Sequence, residues 1–280
     1  ISVKGNLKPF LFSTFTLNLV MKKIILLCLL LGFYGNLMAQ DSSVAFKDGE
    51  WLKFRLHYGF LNASYATLHL TKASLKKKPL FHVVARGKTT GWASIFFKVD
   101  DTYESFFTLK KNEPIKFIRK VREGGTTMHL EVDFDHENEK AYMQDVKNGK
   151  DFEFDTQKGI QDIISAFYFL RNEINPDTLK VGDFTVISML YDDDGVFPFK
   201  LEYLGTEALK TKFGKVFCLK FRPYVQSGRV FKAQESISLW ISNDLNKIPI
   251  RIEAVLAVGS IKADLEAYNG LKNQFKIRVD

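Results

Sequence analysis

The sequence predicts an all-β, mainly antiparallel fold: a strongly curved or barrel-like sheet with one packed amphipathic helix. Three observations lead there. Apolar and polar residues alternate with a period of two along most of the chain. Clusters of Gly, Asn, Asp and Pro interrupt that alternation at short intervals. A single mid-chain segment switches to helical spacing.

In the first strand Leu52, Phe54, Leu56, Tyr58 and Phe60 share one face, and Lys53, Arg55 and His57 the other. Similar runs follow at 63–72, 79–87, 99–109 and 115–122, with a short helical turn expected around Gly91 to Lys98. Met128, Leu130, Val132 and Phe134 alternate with His129, Glu131, Asp133 and Asp135, and another strand is expected at 140–147. Turns fall at Asn112-Glu113-Pro114, Gly124-Gly125 and Lys147-Asn148-Gly149-Lys150. From Gly159 to Glu173 the apolar residues Ile160, Ile163, Ile164, Phe167 and Leu170 form a helical stripe, which Asn175-Pro176 ends. Phe169 lies off that stripe, near Asp162, Ser165 and Ala166. The helix should therefore be covered on more than one face, as inside or across a curved sheet. Strands resume at 183–191, 196–204, 214–222, 235–242 and 248–268, with Asp192-Asp193-Asp194-Gly195 as an acidic hairpin turn.

Residues 21–39 are expected to be a cleavable secretory signal. Met21-Lys22-Lys23 is a positive start, Ile24 to Leu31 an apolar core too short to span a bilayer, and Ala39-Gln40 the cut. Residues 1–20 precede the first methionine and are expected to be upstream translation, so the folding domain is one unit over 40–280. Cys28 lies within the apolar core after Leu27, which does not suit lipid attachment, and Cys218 remains as a buried, inert thiol among Val216, Phe217 and Leu219.

The whole chain carries +8, but Lys4, Lys8, Lys22 and Lys23 lie in the leader, which has no acid; the mature chain therefore has 36 basic against 32 acidic residues, or +4. That mild balance excludes nucleic acid as a partner recognised by charge. Lys76-Lys77-Lys78 and Arg119-Lys120-Val121-Arg122 read as a solvated turn and a solvated strand face. The 26 Phe residues suit an aromatic-rich sheet core or, as the sharper alternative, an apolar cleft for a lipid-like ligand.

Motifs are sparse. If Gly195 took the glycine position of a calcium loop, Leu190 and Leu201 would stand where carboxylates are needed, so that loop fails. His129, Glu131, Asp133 and Asp135 point in parallel from one strand, a poor start for a metal site. There is no HExxH, CxxC, GxSxG or glycine-rich phosphate loop, so no cofactor and no catalytic residue is implied. Charged residues on both faces of several strands argue against a lipid-facing outer-membrane barrel.

Several stretches together resemble the DUF3108 family of bacterial exported proteins. They are Gly49 to Leu52, Leu56 to Ala63, Phe97 to Tyr103, Asp162 to Arg171, Gly214-Lys215 with Arg222-Pro223, and Leu239 to Asp244 with Ile248-Pro249. Ser64 stands where the family usually has glycine. The resemblance implies a β-rich envelope protein and supplies no activity. The candidate ligand-binding or family-signature residues are Tyr58, Asp162, Ser165, Tyr168, Arg171 and Trp240. The expected protein is periplasmic or secreted, without a transmembrane segment once mature. It would be non-enzymatic, binding a lipid-like ligand or an envelope protein; the alternative is a hydrolase of envelope glycan or lipid whose carboxylates meet from separate strands.

Overall fold

A computed structural model describes residues 44–59, 61–91, 93–96, 98–224, 237–256 and 259–278. The expected signal peptide, Cys28 and the cut after Ala39 lie outside the described residues. No helix among the described residues is long and apolar enough to cross a membrane.

The strands are β1 (Trp51–Tyr58), β2 (Leu61–Leu75), β3 (Lys78–Thr89), β4 (Asp100–Thr108), β5 (Pro114–Glu123), β6 (Thr126–Asp135) and β7 (Lys140–Asp145). They continue as β8 (Lys150–Asp155), β9 (Phe184–Met189), β10 (Phe197–Thr211), β11 (Gly214–Tyr224), β12 (Ile237–Ser242), β13 (Pro249–Val255) and β14 (Ser260–Asn269). The helices are α1 (Ala93–Phe96) and α2 (Ile163–Glu173). All the ladders are antiparallel and form one 14-stranded sheet in the order β8-β7-β6-β5-β4-β3-β2-β1-β14-β13-β12-β11-β10-β9.

Because β1 pairs with β14, the free edges come from mid-chain, β8 and β9, and the connection between them carries α2. The sheet is curved but not closed. Gln161 bridges part of the seam in a parallel sense: its N–H donates to Ser188 O and its carbonyl accepts from Leu190 N–H, both at 2.9 Å.

Turn chemistry sets the register. Gly124 and Gly125 both take positive φ, the conformation that a two-residue turn between β5 and β6 requires. Lys76 and Lys77 also take positive φ between β2 and β3, at some cost for residues with a Cβ. The run expected at 248–268 proves to be two strands, because Leu256 and Gly259 close a turn (Leu256 N–H to Gly259 O, 3.0 Å). The strand expected at 140–147 stops at Asp145, whose side chain accepts from the Lys147 and Asn148 amides, and β8 follows as a separate edge.

Helix α2 starts at Ile163, later than the apolar stripe suggested, because Asp162 is its N-cap. The Asp162 carboxylate accepts from the Ile164 and Ser165 amides at 2.7 and 2.8 Å, while Ser165 Oγ accepts from Asp162 N–H at 2.9 Å. The helix packs on three clusters. Ile164 and Tyr168 meet Phe81, Phe107, Phe117 and Leu190; Ala166, Leu170 and Ile174 meet Leu201, Leu219 and Phe221. Phe167 reaches the first cluster and also a third around Leu52, Phe54 and Leu265. Burying each of the Ile, Leu and Phe side chains among these stabilises by about 1.5–3 kcal/mol. Part of the aromatic content thus serves the core: Phe46, Phe54, Phe81, Phe107, Phe117, Phe134 and Phe221 are buried.

Candidate functional site: two arginines on the concave face

Two ends of the sheet's concave, helix-bearing side differ. The base holds the segment 44–50 and the β12–β13 turn. The rim holds the β1–β2, β3–β4, β5–β6, β9–β10 and β13–β14 connections. Helix α2 runs from Asp162, whose Oδ2 accepts from Ser105 Oγ of β4 at 2.6 Å, down to Arg171 at the base.

Arg171 is buried and fully used. Its Nη1 and Nη2 donate to Glu50 Oε1 and Oε2 at 2.6 and 2.8 Å, and Nε donates to Asn246 O at 2.9 Å. Phe46, Phe167 and Tyr168 surround the guanidinium, their ring centres 5.2–5.3 Å away. A planar, bidentate cation is the group that can satisfy Glu50 in such a place. Asn246 in turn takes the Asp244 carboxylate on its N–H at 2.9 Å and holds the C-terminal segment through Asn273. The first and fourth of the stretches carrying the DUF3108 resemblance therefore meet at this ion pair, and Asn246, between the two parts of the last, completes it. Sequence reasoning found Arg171 but not Glu50, which lay in the first stretch and has no neighbour to mark it as a partner.

Asp162, Ser165 and Tyr168 lie in the same buried column. Burial pushes the Asp162 carboxyl up to about 6, against the lowering effect of hydrogen bonds from Ser105, Ser165 and Ile164. Tyr168 Oη has no hydrogen-bond partner, and burial followed by the Glu50 charge raises its pKa well above the usual value. Trp240 sits apart, buried beside Cys218. Its Nε1 donates to Glu207 Oε2 at 3.0 Å and Lys220 Nζ lies 4.8 Å from its ring centre. Burial, then the charge of Glu207, pushes the Cys218 thiol up to about 12, so it is no nucleophile at neutral pH. The strand-face acids also have partners: Lys116 Nζ contacts Glu131 at 2.9 Å and Asp133 at 3.3 Å. Among the described residues no His, Cys, Asp and Glu cluster fits a metal ion.

The remaining candidate, Tyr58, stands at the rim. Along β1 and β14, Phe54 and Leu265 are buried and Leu56 and Ala263 half-buried, yet Tyr58 and Ile261 on the same face are 39% and 43% exposed. Ile252 of β13, opposite Ala263, is 41% exposed, and Ile163 at the start of α2 is 42% exposed. The other face of these strands carries Arg55, His57, Lys262 and Asp264. An apolar strip thus reaches solvent on the concave side at the rim.

Further along the same face stands Arg119. It was expected on a solvated strand face, but in β5 it shares a face with Phe117 and Val121 and so points inward, its side chain 15% exposed. Its guanidinium lies over Tyr191 and Tyr103, 5.0 and 5.9 Å from their ring centres. Asp192 Oδ2 is 3.8 Å from Nη1, too far for a hydrogen bond, and the buried Nε and Nη1 have no partner. Asp192, in the acidic turn expected between strands, is buried, because the β9–β10 connection brings Tyr191 and Asp192 against Arg119 of β5. Burial raises both tyrosines, opposed by the nearby Arg119 charge. Burial also raises Glu123, helped by the nearby Asp101 carboxyl.

The fold and this site define a class: an open, curved antiparallel meander with a helix packed in its concave side and an amphipathic rim. The chain belongs to the DUF3108 family, proteins of unknown function, whose pattern matches residues 53–266. No curated protein matches it by sequence. Among solved structures it resembles a β-barrel-like protein of the DUF1849 family from Brucella abortus, at 10% identity and TM-score 0.51, over 80% of this chain and 98% of that one. A candidate lipoprotein from Parabacteroides distasonis aligns at 12% identity and TM-score 0.32, over 81% of this chain and 98% of that one. A DUF1089 family protein from Pseudomonas aeruginosa aligns at 14% identity and TM-score 0.32, over 76% and 92%.

Proposed function

We propose that this is an exported, non-enzymatic protein of the cell envelope that holds a lipid-like, amphipathic ligand at the rim of its concave face. Export rests on the layout of residues 21–39. One observation carries the binding reading: exposed Tyr58, Ile252 and Ile261 lie on the same face of the sheet as Arg119, whose buried Nε and Nη1 have no hydrogen-bond partner. Apolar lining with a few convergent polar groups is the usual make-up of a ligand site. The acyl part would lie on the apolar strip and the polar part against Arg119 and the two tyrosines. The interior below is filled by α2, so the ligand would be shallow rather than enclosed. For the hydrolase alternative two carboxyls should face each other across a groove.

Native mass spectrometry with lipid extraction, on mature protein purified from the periplasm, tests this. A reproducible bound lipid, lost in Ile252→Asp and Ile261→Asp variants that keep the wild-type melting temperature, is the expected result. A clean ligand-free mass in the wild type contradicts it, and leaves docking of an envelope protein to be tested by cross-linking.

A further inference from the structure

A second site lies on the charged side of β1, β13 and β14. There the tip of the β10–β11 hairpin meets the sheet and leaves a cavity of about 220 Å³, large beside the roughly 30 Å³ that one water occupies. Its polar walls are Arg55, Lys210, Lys212 and Arg251 against Asp264 and Glu266, so cations outnumber carboxylates by four to two.

Both carboxylates are already engaged. Asp264 Oδ1 accepts from Arg251 Nε at 2.6 Å and its Oδ2 meets His57 Nε2 at 2.9 Å. Glu266 Oε1 accepts from Lys212 Nζ at 2.7 Å. What is left over is positive. Arg55 Nε is buried without a hydrogen-bond partner, 3.9 Å from Glu266 Oε2, while its Nη1 is held by Asn62 Oδ1 at 3.1 Å. Lys210 forms no ion pair among the described residues. An oriented guanidinium edge beside a free ammonium, in a pocket with a positive surplus, is the arrangement that recognises a compact oxyanion.

We infer that this cavity binds a phosphate group, carried either by a small soluble phosphate ester or by the headgroup of an anionic lipid. The oxyanion would take the Arg55 Nε–H and the Lys210 ammonium, with Lys212 and Arg251 adding charge while they stay on their own carboxylates. The site is independent of the rim: it stands on the opposite face of the same strands, and its failure would leave the rim proposal untouched.

The test uses the mature chain. Isothermal titration with inorganic phosphate and with glycerol phosphate is run beside co-sedimentation with vesicles of phosphatidylglycerol or of phosphatidylcholine. Lys210→Ala and Arg55→Met are compared with Lys76→Ala, an exposed lysine at a distant turn. Saturable binding of the soluble phosphates, weakened roughly tenfold by Lys210→Ala and unchanged by Lys76→Ala, is expected if the ligand is a soluble ester. Co-sedimentation with phosphatidylglycerol only, equally sensitive to Lys210→Ala, assigns the phosphate to a lipid headgroup. Absence of both, or binding that Lys210→Ala leaves intact, overturns the inference. Since Lys210 is exposed, its loss should leave the melting temperature within a few degrees of wild type, which separates loss of binding from loss of fold.

Discussion

Arg171 and Arg119 lie on the same concave face of one sheet, yet their surroundings are opposite. Arg171 at the base gives its hydrogen bonds to Glu50, Asn246 and Ala45. Arg119 toward the rim has two aromatic rings over it and Asp192 nearby, but its buried Nε and Nη1 bond to nothing. The difference separates a cation that builds the fold from one that leaves hydrogen-bonding capacity available. A fully paired buried charge says little about function, since its partners account for it. A buried donor without a partner calls for an explanation, and a ligand is one.

The sharpest way to break the comparison is to remove the base partner. Glu50→Ala leaves Arg171 charged and unpaired in the core, and should cost about 3–5 kcal/mol, read as a drop in the urea midpoint. Arg171→Lys should lose much of the same stability, because an ammonium cannot make the fork to Glu50. Next in size is the helix itself: Leu170→Ala, beside Leu201 and Phe221, should cost about 2–5 kcal/mol in the same assay.

Asp162 gives the comparison a pH axis. Its carboxyl is raised from 3.8 to about 6 in the folded protein, so its contribution to stability is full below about pH 4 and declines as pH rises toward 6. The change should be at most about 3 kcal/mol. Urea midpoints measured from pH 4 to pH 7 should fall in the wild type and flatten in Asp162→Asn, which keeps an acceptor for the helix amides. Smallest is Trp240→Phe, which removes the bond to Glu207 and should cost about 1 kcal/mol by thermal melting, with no effect on a rim ligand.

Much of this was legible in the sequence. Alternation fixes which residues of β1 and β6 face the core, and the stripe from Ile160 to Leu170 announces a helix with more than one covered side. The helix start was not: the stripe runs back to Ile160, and only the paired caps Asp162 and Ser165 stop the helix at Ile163. What could not be read was partnership across distance. Glu50 and Arg171 are 121 residues apart, and nothing local says that they meet. Arg119 was legible but overlooked: grouped with Lys120 and Arg122 it looks like a basic run, whereas grouped with Phe117 and Val121 it is an inward position. The 248–268 run concealed a turn because Leu256 and Gly259 sit within an otherwise continuous apolar pattern.

The most direct test is equilibrium urea unfolding of Arg119→Met beside Arg171→Met, each purified free of lipid. Replacing a base cation whose hydrogen bonds are all made should unfold the protein at much lower urea. Replacing a rim cation that makes one 3.8 Å contact with Asp192, and no hydrogen bond from Nε or Nη1, should lower the unfolding free energy by clearly less than Arg171→Met does. If Arg119→Met is as destabilising as Arg171→Met, Arg119 is a structural residue and the rim is not built for a ligand.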